Sequence, residues 1–352
     1  MDGINIIFVR YNWINMLDIV VGGGYGDEGK GKVVSYLAVK DKIAVNARAG
    51  VGPNAGHTVV YMGKSYKVRQ IPSGFVNPSA QLLIGSGVLI DPEILMKEIE
   101  EFSVSGRLVV DSHCSIIEPA HKETDRKDEY LSKKISTTGT GCGPAQVDRV
   151  KRSAKQAHET ESLKGMVGDV PEIINSAADK GKRVIIEATQ GTFLSLYHGS
   201  YPFVTSKDTT ASAACSDVGV GPGKVDNVIV VFKSFLTRVG NGPLEGEISP
   251  AEAKRLNMLE FGTVTGRQRR AAPFSKELAK RSIMLNGATQ VSITKLDTLY
   301  PSAAGVRKID DLDEKPRAFI ESLEKELKVP ITLVGTGSEA GDIIDMRKEK
   351  GF

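Results

Sequence analysis

The stretch that decides the fold is LDIVVGGGYGDEGKGK, residues 17–32. Its first five residues, Leu17 to Val21, are apolar and predict a short buried strand. Glycines follow almost at once, and apolar residues then recur at helical spacing, namely Val33, Val34, Leu37 and Ala38. A strand, a glycine-rich turn and a helix N-terminus together predict a phosphate cradle, because backbone N–H groups and the helix dipole converge there on an anion.

The same stretch fits the G-x-x-x-x-G-K spacing of a P-loop, with Lys30 placed to reach phosphate oxygens. A P-loop needs Ser or Thr after the lysine to hold magnesium, and Gly31 stands there instead. Asp27 is then the obvious carboxylate for a metal, because a carboxylate aimed at a phosphate site is repelled unless it binds metal or acts as a base. The alternative is a plain β–α turn in which Asp27 and Glu28 are solvated acids of the first helical turn.

Composition sets bounds on the class of protein. The chain has 352 residues, 40% of them hydrophobic, 25% charged and 6% aromatic, which is typical of a soluble globular protein. A net charge of +3 is too small to indicate nucleic acid or a membrane surface as a partner. Cys114, Cys142 and Cys215 are too few and too scattered for a disulfide framework or a cysteine metal site, so we expect a reducing, cytoplasmic compartment.

Two parts of the chain are distinguished. Residues 1–15 contain a short apolar patch but no signal-peptide pattern, and we expect them to be an extension without a role in the chemistry. Residues 16–352 are expected to form a single domain. No apolar run has the length of a transmembrane helix.

Strands alternate with helices along this domain. Apolar segments predict strands at 81–90, 106–112, 182–189 and 225–235, and residues 121–134 read as one highly charged, solvated helix. This alternation predicts an α/β fold with a large, mostly parallel, twisted sheet flanked by helices, like that of P-loop NTPases, with small peripheral subdomains.

Polar loops recur between the predicted strands and helices, and one of them, QGT, directly follows the predicted strand at 182–189. They are NAGHT at 54–58, TTGTGCGP at 137–144, QGT at 190–192 and YPFVTS at 201–206. Polar residues at the carboxyl ends of parallel strands are where α/β sheets bind ligands. For the glycine-rich loop at 137–144 taken alone, a flexible linker is the plainer interpretation.

Two later stretches indicate ligands, a small anionic substrate for the first and a guanine base for the second. Residues 265–270, TGRQRR, are rich in arginines, whose planar groups bind carboxylates and phosphates; a basic surface patch or a nucleic-acid contact is the alternative. The sequence KLD at 295–297 ends a predicted strand. A carboxylate there can accept both N1–H and the exocyclic amine of guanine, a pair that adenine does not offer.

Taken together, GDEGKGK, NAGHT, TTGTGCGP, QGT, YPFVTS, TGRQRR, KLD and the GTG at 335–337 resemble the adenylosuccinate synthetase family in its short form. The resemblance covers nearly the whole chain after residue 16. It implies that IMP and L-aspartate are joined at the expense of GTP, with one Mg²⁺ per subunit. Asp27 would be the general base and a metal ligand, with the Gly56 carbonyl as a second ligand. His57 would be the general acid, and Lys30 would neutralise charge during phosphoryl transfer.

The resemblance also implies binding residues by motif position. IMP contacts are implied at Asn54, Thr138, Arg152, Gln190, Thr205 and Arg267, and aspartate contacts at Thr263, Thr265 and Arg267. GTP contacts are implied at Gly26, Glu28, Gly29, Lys30, Gly31, Gly56, His57, Thr58, Arg269, Lys295, Asp297, Gly335, Thr336 and Gly337. Arg152 resembles an arginine that members of the family donate across a homodimer interface.

The chain departs from the family pattern at four positions. Tyr25 replaces a tryptophan, Thr140 an arginine, Val264 a threonine, and Gly335 stands where serine is common. Two other functions stay open at this point, a GTP-regulated switch protein and a nucleotide-dependent ligase with another acceptor. The missing Ser or Thr at Gly31 argues against the switch.

Overall fold

The computed structural model describes residues 16–262 and 266–352. The strands are β1 Leu17–Gly22, β2 Val45–Arg48, β3 His57–Tyr61, β4 Lys64–Val68, β5 Gln81–Ile84, β6 Leu89–Ile90, β7 Leu108–Asp111, β8 Ser115–Ile116, β9 Val167–Gly168, β10 Val184–Glu187, β11 Asn227–Lys233, β12 Phe235–Arg238, β13 Arg270–Pro273, β14 Gln290–Thr294, β15 Ile331–Gly335 and β16 Ile343–Asp345. The helices are α1 Lys30–Lys40, α2 Pro92–Phe102, α3 Pro119–Lys127, α4 Cys142–Lys151, α5 Val170–Asp179, α6 Ala211–Val218, α7 Pro250–Arg255, α8 Lys276–Asn286, α9 Leu296–Leu299 and α10 Glu314–Leu327.

A single large sheet organises the described residues. It has ten strands in the order β16-β15-β14-β11-β1-β10-β2-β5-β7-β9. Its strands pair in parallel except for β16, which runs antiparallel to β15. The strand that opens the glycine-rich stretch, β1, therefore lies in the interior of the sheet between β10 and β11. This arrangement confirms the predicted α/β class with its mostly parallel sheet.

Both faces of the sheet are covered by helices. On one face Leu17, Ile19 and Val21 pack in a cluster with apolar side chains of α5, α6, α8 and α10. On the other face Val20 packs with the helical residues Val33, Val34, Leu37 and Ala38. Burial of each such aliphatic side chain stabilises the folded state by about 1.5–3 kcal/mol relative to leaving it exposed to water. Burial on both faces explains why β1 reads as a continuous apolar run.

Small elements surround the sheet, as the sequence predicts. The pairs β3–β4, β6–β8 and β12–β13 form separate two-stranded sheets. None of the helices in the described ranges is long and apolar enough to cross a membrane.

Two local predictions need correction. The segment 81–90 is two strands in different sheets, β5 and β6, because the chain turns at 85–88. The charged segment 121–134 is not one solvated helix. Helix α3 ends at Lys127, a π-helical turn follows at Tyr130–Ile135, and His121 and Asp125 on α3 are buried.

Candidate active site

Several of the predicted site residues lie in segments that follow the carboxyl ends of the central strands. Strand β1 leads into the glycine-rich turn, β10 leads into Gln190, and β14 leads into Lys295. Parallel strands end at the same edge of the sheet, so these segments meet there. The position of the site therefore follows from the topology.

The glycine-rich turn is held from inside by Glu28. Its Oε1 accepts hydrogen bonds from the N–H groups of Gly24, at 3.0 Å, and Gly26, at 2.7 Å. Its Oε2 lies 2.9 Å from Nζ of Lys30, which also donates to the carbonyl of Gln190. Glu28 is buried, so the alternative of a solvated first-turn acid is wrong for this residue.

Asp27 lies at the cavity beside the turn. Its backbone is left-handed, with φ 63°, and its Oδ2 is 2.9 Å from Nε of Arg269. Burial raises the pKa of this carboxyl, and the positive charge of Arg269 only partly opposes the effect. The solvated alternative is excluded here too, because Asp27 is paired with Arg269 and its side chain is only 24% exposed.

Close packing explains why Gly31 replaces the P-loop Ser or Thr. A Cβ atom at this position would lie 2.8 Å from Cβ of His57 and 3.1 Å from Oγ of Ser73. Any side chain here would push α1 away from β3. The structure thus excludes a hydroxyl ligand at this position without rearrangement.

His57 is held by a buried carboxylate that the sequence analysis missed. Its Nδ1 is 2.5 Å from Oε1 of Glu187, at the end of β10. Glu187 also accepts from the N–H and hydroxyl of Ser73, both at 2.6 Å, and from Arg48 at 2.6 Å. In the sequence Glu187 reads only as the end of an apolar strand, and no local pattern marks it as a partner of His57.

The charges around this pair set its protonation. Burial and the nearby Arg48 lower the pKa of His57 to about 4, although Glu187 opposes the shift. Burial alone would raise the pKa of Glu187, but Arg48 and His57 outweigh it and hold it at about 2. At neutral pH the pair is therefore a neutral imidazole on an ionised carboxylate. Nε2 of His57 is buried and has no hydrogen-bond partner among the described residues.

Asp27, Lys30 and His57 line one cavity of about 350 Å³. That size is suitable for a small-molecule ligand. Ten of the predicted site residues line it, namely Gly26, Asp27, Lys30, Asn54, Gly56, His57, Thr138, Gln190, Thr205 and Arg267. Residues that were not predicted as ligand contacts complete the wall, among them Tyr130, Leu131 and Phe203.

Three predicted IMP contacts converge within this cavity. The side-chain amides of Gln190 and Asn54 both donate to the hydroxyl of Thr205, at 2.9 Å and 3.4 Å. Their carbonyl oxygens are buried, and neither has a hydrogen-bond partner among the described residues. Because buried polar atoms are normally satisfied, these two oxygens indicate a polar ligand.

The loop at 136–144 is ordered against α3 and is not a flexible linker. Asp125 accepts from the hydroxyl of Thr137 at 2.9 Å and from the N–H of Gly141 at 2.8 Å. Arg267 reaches the same loop and donates to the hydroxyl and carbonyl of Ser136. The loop therefore closes one side of the cavity.

A second cluster of charges lies beyond the cavity and contains part of the predicted GTP set. Glu260 joins three cations, lying 2.7 Å from Lys233, 2.6 Å from Arg269 and 3.4 Å from Lys295. Burial alone would raise the pKa of Glu260, but these cations hold it at about 2. Neither Lys233 nor Glu260 was predicted from the sequence.

The family is decided by comparison with known proteins. The family model described as adenylosuccinate synthetase matches residues 19–160 and 154–304. The chain belongs to the adenylosuccinate synthetase family. An adenylosuccinate synthetase of Methanocaldococcus jannaschii is 56% identical over 94% of this chain and 97% of its own length. One of Archaeoglobus fulgidus is also 56% identical, over 94% of this chain and 98% of its own length.

Two solved structures share the fold. A fully ligated adenylosuccinate synthetase from Plasmodium falciparum has a TM-score of 0.88 at 24% identity, covering 94% of this chain and 99% of that one. The cyanophage S-2L succinoaminodeoxyadenylate synthetase, bound to dGMP and dATP, has a TM-score of 0.78 at 24% identity, covering 94% and 95%. The sequence prediction of an adenylosuccinate synthetase is thereby confirmed at the level of family and fold.

Two departures from the adenylosuccinate synthetase pattern have local packing partners. Tyr25 packs its ring against Phe193, with centroids 5.9 Å apart, and the guanidinium of Arg238 lies 4.5 Å from the same ring. The hydroxyl of Thr140 lies 2.9 Å from that of Thr138. Both departures thus lie in the wall of the cavity and add no unpaired charge to it.

Not every residue implied by the adenylosuccinate synthetase resemblance lies in the cavity. Gly29, Gly31, Thr58, Lys295, Asp297, Gly335, Thr336 and Gly337 lie outside its lining, as do Glu28, Arg152 and Arg269. Thr336 is fully buried and its hydroxyl donates to the carbonyl of Val306. Thr263 and Thr265, the two predicted aspartate contacts, lie outside the described residues.

The magnesium that this family uses fits the residues present. Asp27 and Gly56 line the same cavity. No group of three or more His, Cys, Asp or Glu residues capable of holding a metal occurs within the described ranges. One carboxylate and one carbonyl suit Mg²⁺, because it is usually held by few protein ligands together with waters and substrate phosphates.

Proposed function

We propose that this protein ligates IMP and L-aspartate to form adenylosuccinate, using GTP and releasing GDP and phosphate. The observation that carries the proposal is the convergence of Asp27, Lys30 and His57 on one cavity that also presents the unpartnered oxygens of Asn54 and Gln190. Residues suited to phosphoryl transfer and polar atoms suited to binding a purine therefore line the same cavity. An α/β fold alone would not supply this combination.

In the first half of the reaction, IMP is phosphorylated on O6. The Asp27 carboxylate takes the N1 proton, and the electron pair moves to O6, which attacks the γ-phosphorus of GTP as the bond to the β-phosphate oxygen breaks. A raised pKa suits Asp27 to this role, because a base works best when its pKa lies near the working pH. Asp27 and the Gly56 carbonyl would hold Mg²⁺, which supplies neutralising charge to the phosphates when bound.

His57 and Lys30 assist the leaving group. His57 presents Nε2, which needs a proton to act as a general acid. Phosphate charge beside the ring would raise its low pKa, because an opposite charge favours the protonated form. Glu187 would stabilise the resulting imidazolium through Nδ1. Lys30 would add positive charge at the glycine-rich turn.

In the second half, the aspartate amine attacks C6 of the purine and the 6-phosphoryl group leaves as phosphate. Arg267, Thr263 and Thr265 would hold the aspartate. Support comes from Arg267, whose guanidinium lines the cavity beside Ser136. A guanidinium placed there can bind a carboxylate with two parallel hydrogen bonds.

The nucleotide would extend from the glycine-rich turn toward Asp297. One oxygen of this carboxylate, Oδ1, is buried, and within the described residues it has no hydrogen-bond partner. With its two oxygens, the Asp297 carboxylate can accept hydrogen bonds from both guanine N1–H and the exocyclic amine. Lys295, at the end of β14, and Gly335 and Gly337, at the end of β15, would lie beside the base.

The protein would act as a homodimer in the cytoplasm. Arg152 directly follows α4 and is exposed, and Val147 and Val150 on that helix are 52% and 70% exposed. Exposed apolar side chains beside an arginine suit an interface that delivers the guanidinium to a partner's IMP site. Three free, buried cysteines fit a reducing compartment.

The test is release of phosphate from GTP with IMP and aspartate omitted in turn. We expect release only when both are present, together with formation of adenylosuccinate. A GTP-regulated switch would hydrolyse GTP without either compound, and a ligase with another acceptor would ignore IMP. Either result would overturn the proposal.

A further inference from the structure

The second lysine of the GDEGKGK motif faces a different part of the site from the first. Lys32 does not line the cavity that contains Lys30. Its ammonium donates to the carbonyl of Gly337 at 2.8 Å and to the carbonyl of Glu339. Gly337 lies 305 positions further along the chain. The contact therefore ties the first turn of α1 to the loop that follows β15.

The Lys32 side chain is packed tightly where it meets this loop. Its exposed fraction is 8%. A Cβ atom on Gly335 would lie 3.2 Å from Cε of Lys32, and one on Gly337 would lie 2.5 Å from Oδ2 of Asp342. The glycines thus leave space for the lysine stem and for Asp342, which itself pairs with Arg307 at 3.0 Å.

Charged groups face the ammonium from several elements. Asp342 and Glu339 belong to the loop after β15, Asp297 lies on α9, and Lys295 precedes α9. Burial lowers the pKa of Lys32 to about 8; the three carboxylates oppose that shift and Lys295 adds to it. The ammonium therefore contacts the loop directly, and its charge also interacts with Asp297, the carboxylate assigned to guanine.

We propose that Lys32 is a positioning residue for the guanine base, holding the 335–339 loop in place beside Asp297, the carboxylate assigned to the base. The two lysines of one motif then serve opposite ends of the nucleotide, Lys30 the phosphates and Lys32 the base. In this arrangement Lys32 itself contacts none of the three substrates. The inference rests on the proposed use of GTP, but it concerns binding and does not require turnover.

The test is calorimetric binding of GDP, ADP and IMP to Lys32→Met, which keeps the length of the stem and removes the charge. We expect the GDP dissociation constant to rise about tenfold or more, since hydrogen bonds to a charged group are lost. The constant for IMP should change by less than about twofold, and the preference for GDP over ADP should shrink. Lys40→Met, at the exposed end of the same helix, is the matched control and should bind as the wild type does.

A second measurement needs no variant. Between pH 7 and pH 8.5 the wild type should lose affinity for GDP as Lys32 gives up its proton, while IMP binding stays flat. Lys32→Arg should restore GDP binding relative to Lys32→Met and remove this pH dependence. If Lys32→Met does not fold, this pH series and Lys32→Arg decide the question.

Equal weakening of GDP and IMP would overturn the inference, because a lysine that only braces the fold affects both ligands alike. An unchanged GDP constant in Lys32→Met, or a pH-independent one in the wild type, would overturn it too. The reaction itself is tested separately: a protein that fails to join IMP and aspartate but loses GDP selectively in Lys32→Met would retain this inference and refute the proposed activity.

Discussion

At the scale of single residues, the site depends on carboxylates that lie outside the lining of the cavity. Glu187 fixes the ring of His57, and Glu28 fixes the turn that carries Asp27. Both are buried and fully engaged, so each is a positioning residue. Such groups set the orientation and pKa of the residues that do the chemistry.

Glu187→Gln should slow the reaction while leaving IMP binding nearly intact. The amide cannot stabilise a protonated His57, so kcat should fall at least about tenfold. Because Glu187 raises the pKa of His57, its loss should move the descending limb of the kcat–pH profile to lower pH. Steady-state kinetics across pH measure both effects.

The matched control is Glu93→Gln, which removes one partner of an exposed ion pair with Lys97. Exposed pairs of this kind contribute little to stability, and kinetics should not change. A Glu187→Gln protein with an unshifted pH profile would contradict the assigned role.

At the scale of elements, the contact between α1 and β3 decides how this site differs from a P-loop. Gly31 lies against Cβ of His57, so the helix and the strand approach more closely than a side chain allows. That approach brings His57 to the same cavity as Lys30. Gly31 cannot supply a hydroxyl ligand to magnesium, and the space that a side chain would need there is taken by His57 and Ser73.

Gly31→Ser should therefore damage the site even though it restores the P-loop consensus. Overpacking of this kind costs about 1–3 kcal/mol of unfolding free energy, and kcat should fall because His57 is displaced. Thermal unfolding and phosphate release measure these two effects.

Gly106→Ala is the comparison, since a Cβ there meets nothing within 4 Å. It should leave both the melting temperature and kcat close to the wild type. Full activity in Gly31→Ser would show that the contact with His57 has no catalytic consequence.

At the scale of the whole molecule, the described chain does not place Arg152 in the cavity that it is expected to serve. Arg152 is exposed, and it is absent from the cavity lining. A site completed by the partner subunit would reconcile these observations, because a two-fold interface supplies the same residue in both directions. The unit of function would then be the pair.

Mixing two inactive variants tests this arrangement. Arg152→Ala lacks the donated group and Asp27→Asn lacks the base, so each alone should be nearly inactive. Random reassociation makes half of the dimers mixed, and each mixed dimer has one intact site out of its two. About a quarter of wild-type activity should therefore return. No recovery after confirmed exchange of subunits would place Arg152 in its own subunit's site.

Removal of residues 1–15 should change neither folding nor catalysis. The described domain begins with Met16 and β1, whose pairing with β10 and β11 involves residues 17–22. The melting temperature and kcat of the shortened protein measure this. Loss of folding would show that the extension belongs to the domain.

The sequence by itself determined the local parts of this protein. Residues 17–40 contain the apolar run of β1, the glycine turn and the helical spacing of α1. The structure has each of these elements. Local periodicity and motif spacing fix such elements because neighbouring residues alone decide them. The positions of Asp27 in the turn, Lys30 at the start of α1 and His57 at the start of β3 could be predicted for the same reason.

Only the tertiary structure decided which distant groups meet these residues. Glu187 reaches His57 across 130 positions of the chain, and Lys32 reaches Gly337 across 305. Glu260 likewise forms ion pairs with three cations that come from separate segments of the chain. No local pattern encodes such pairings, because they depend on the order of strands in the sheet and on which side chains are buried together.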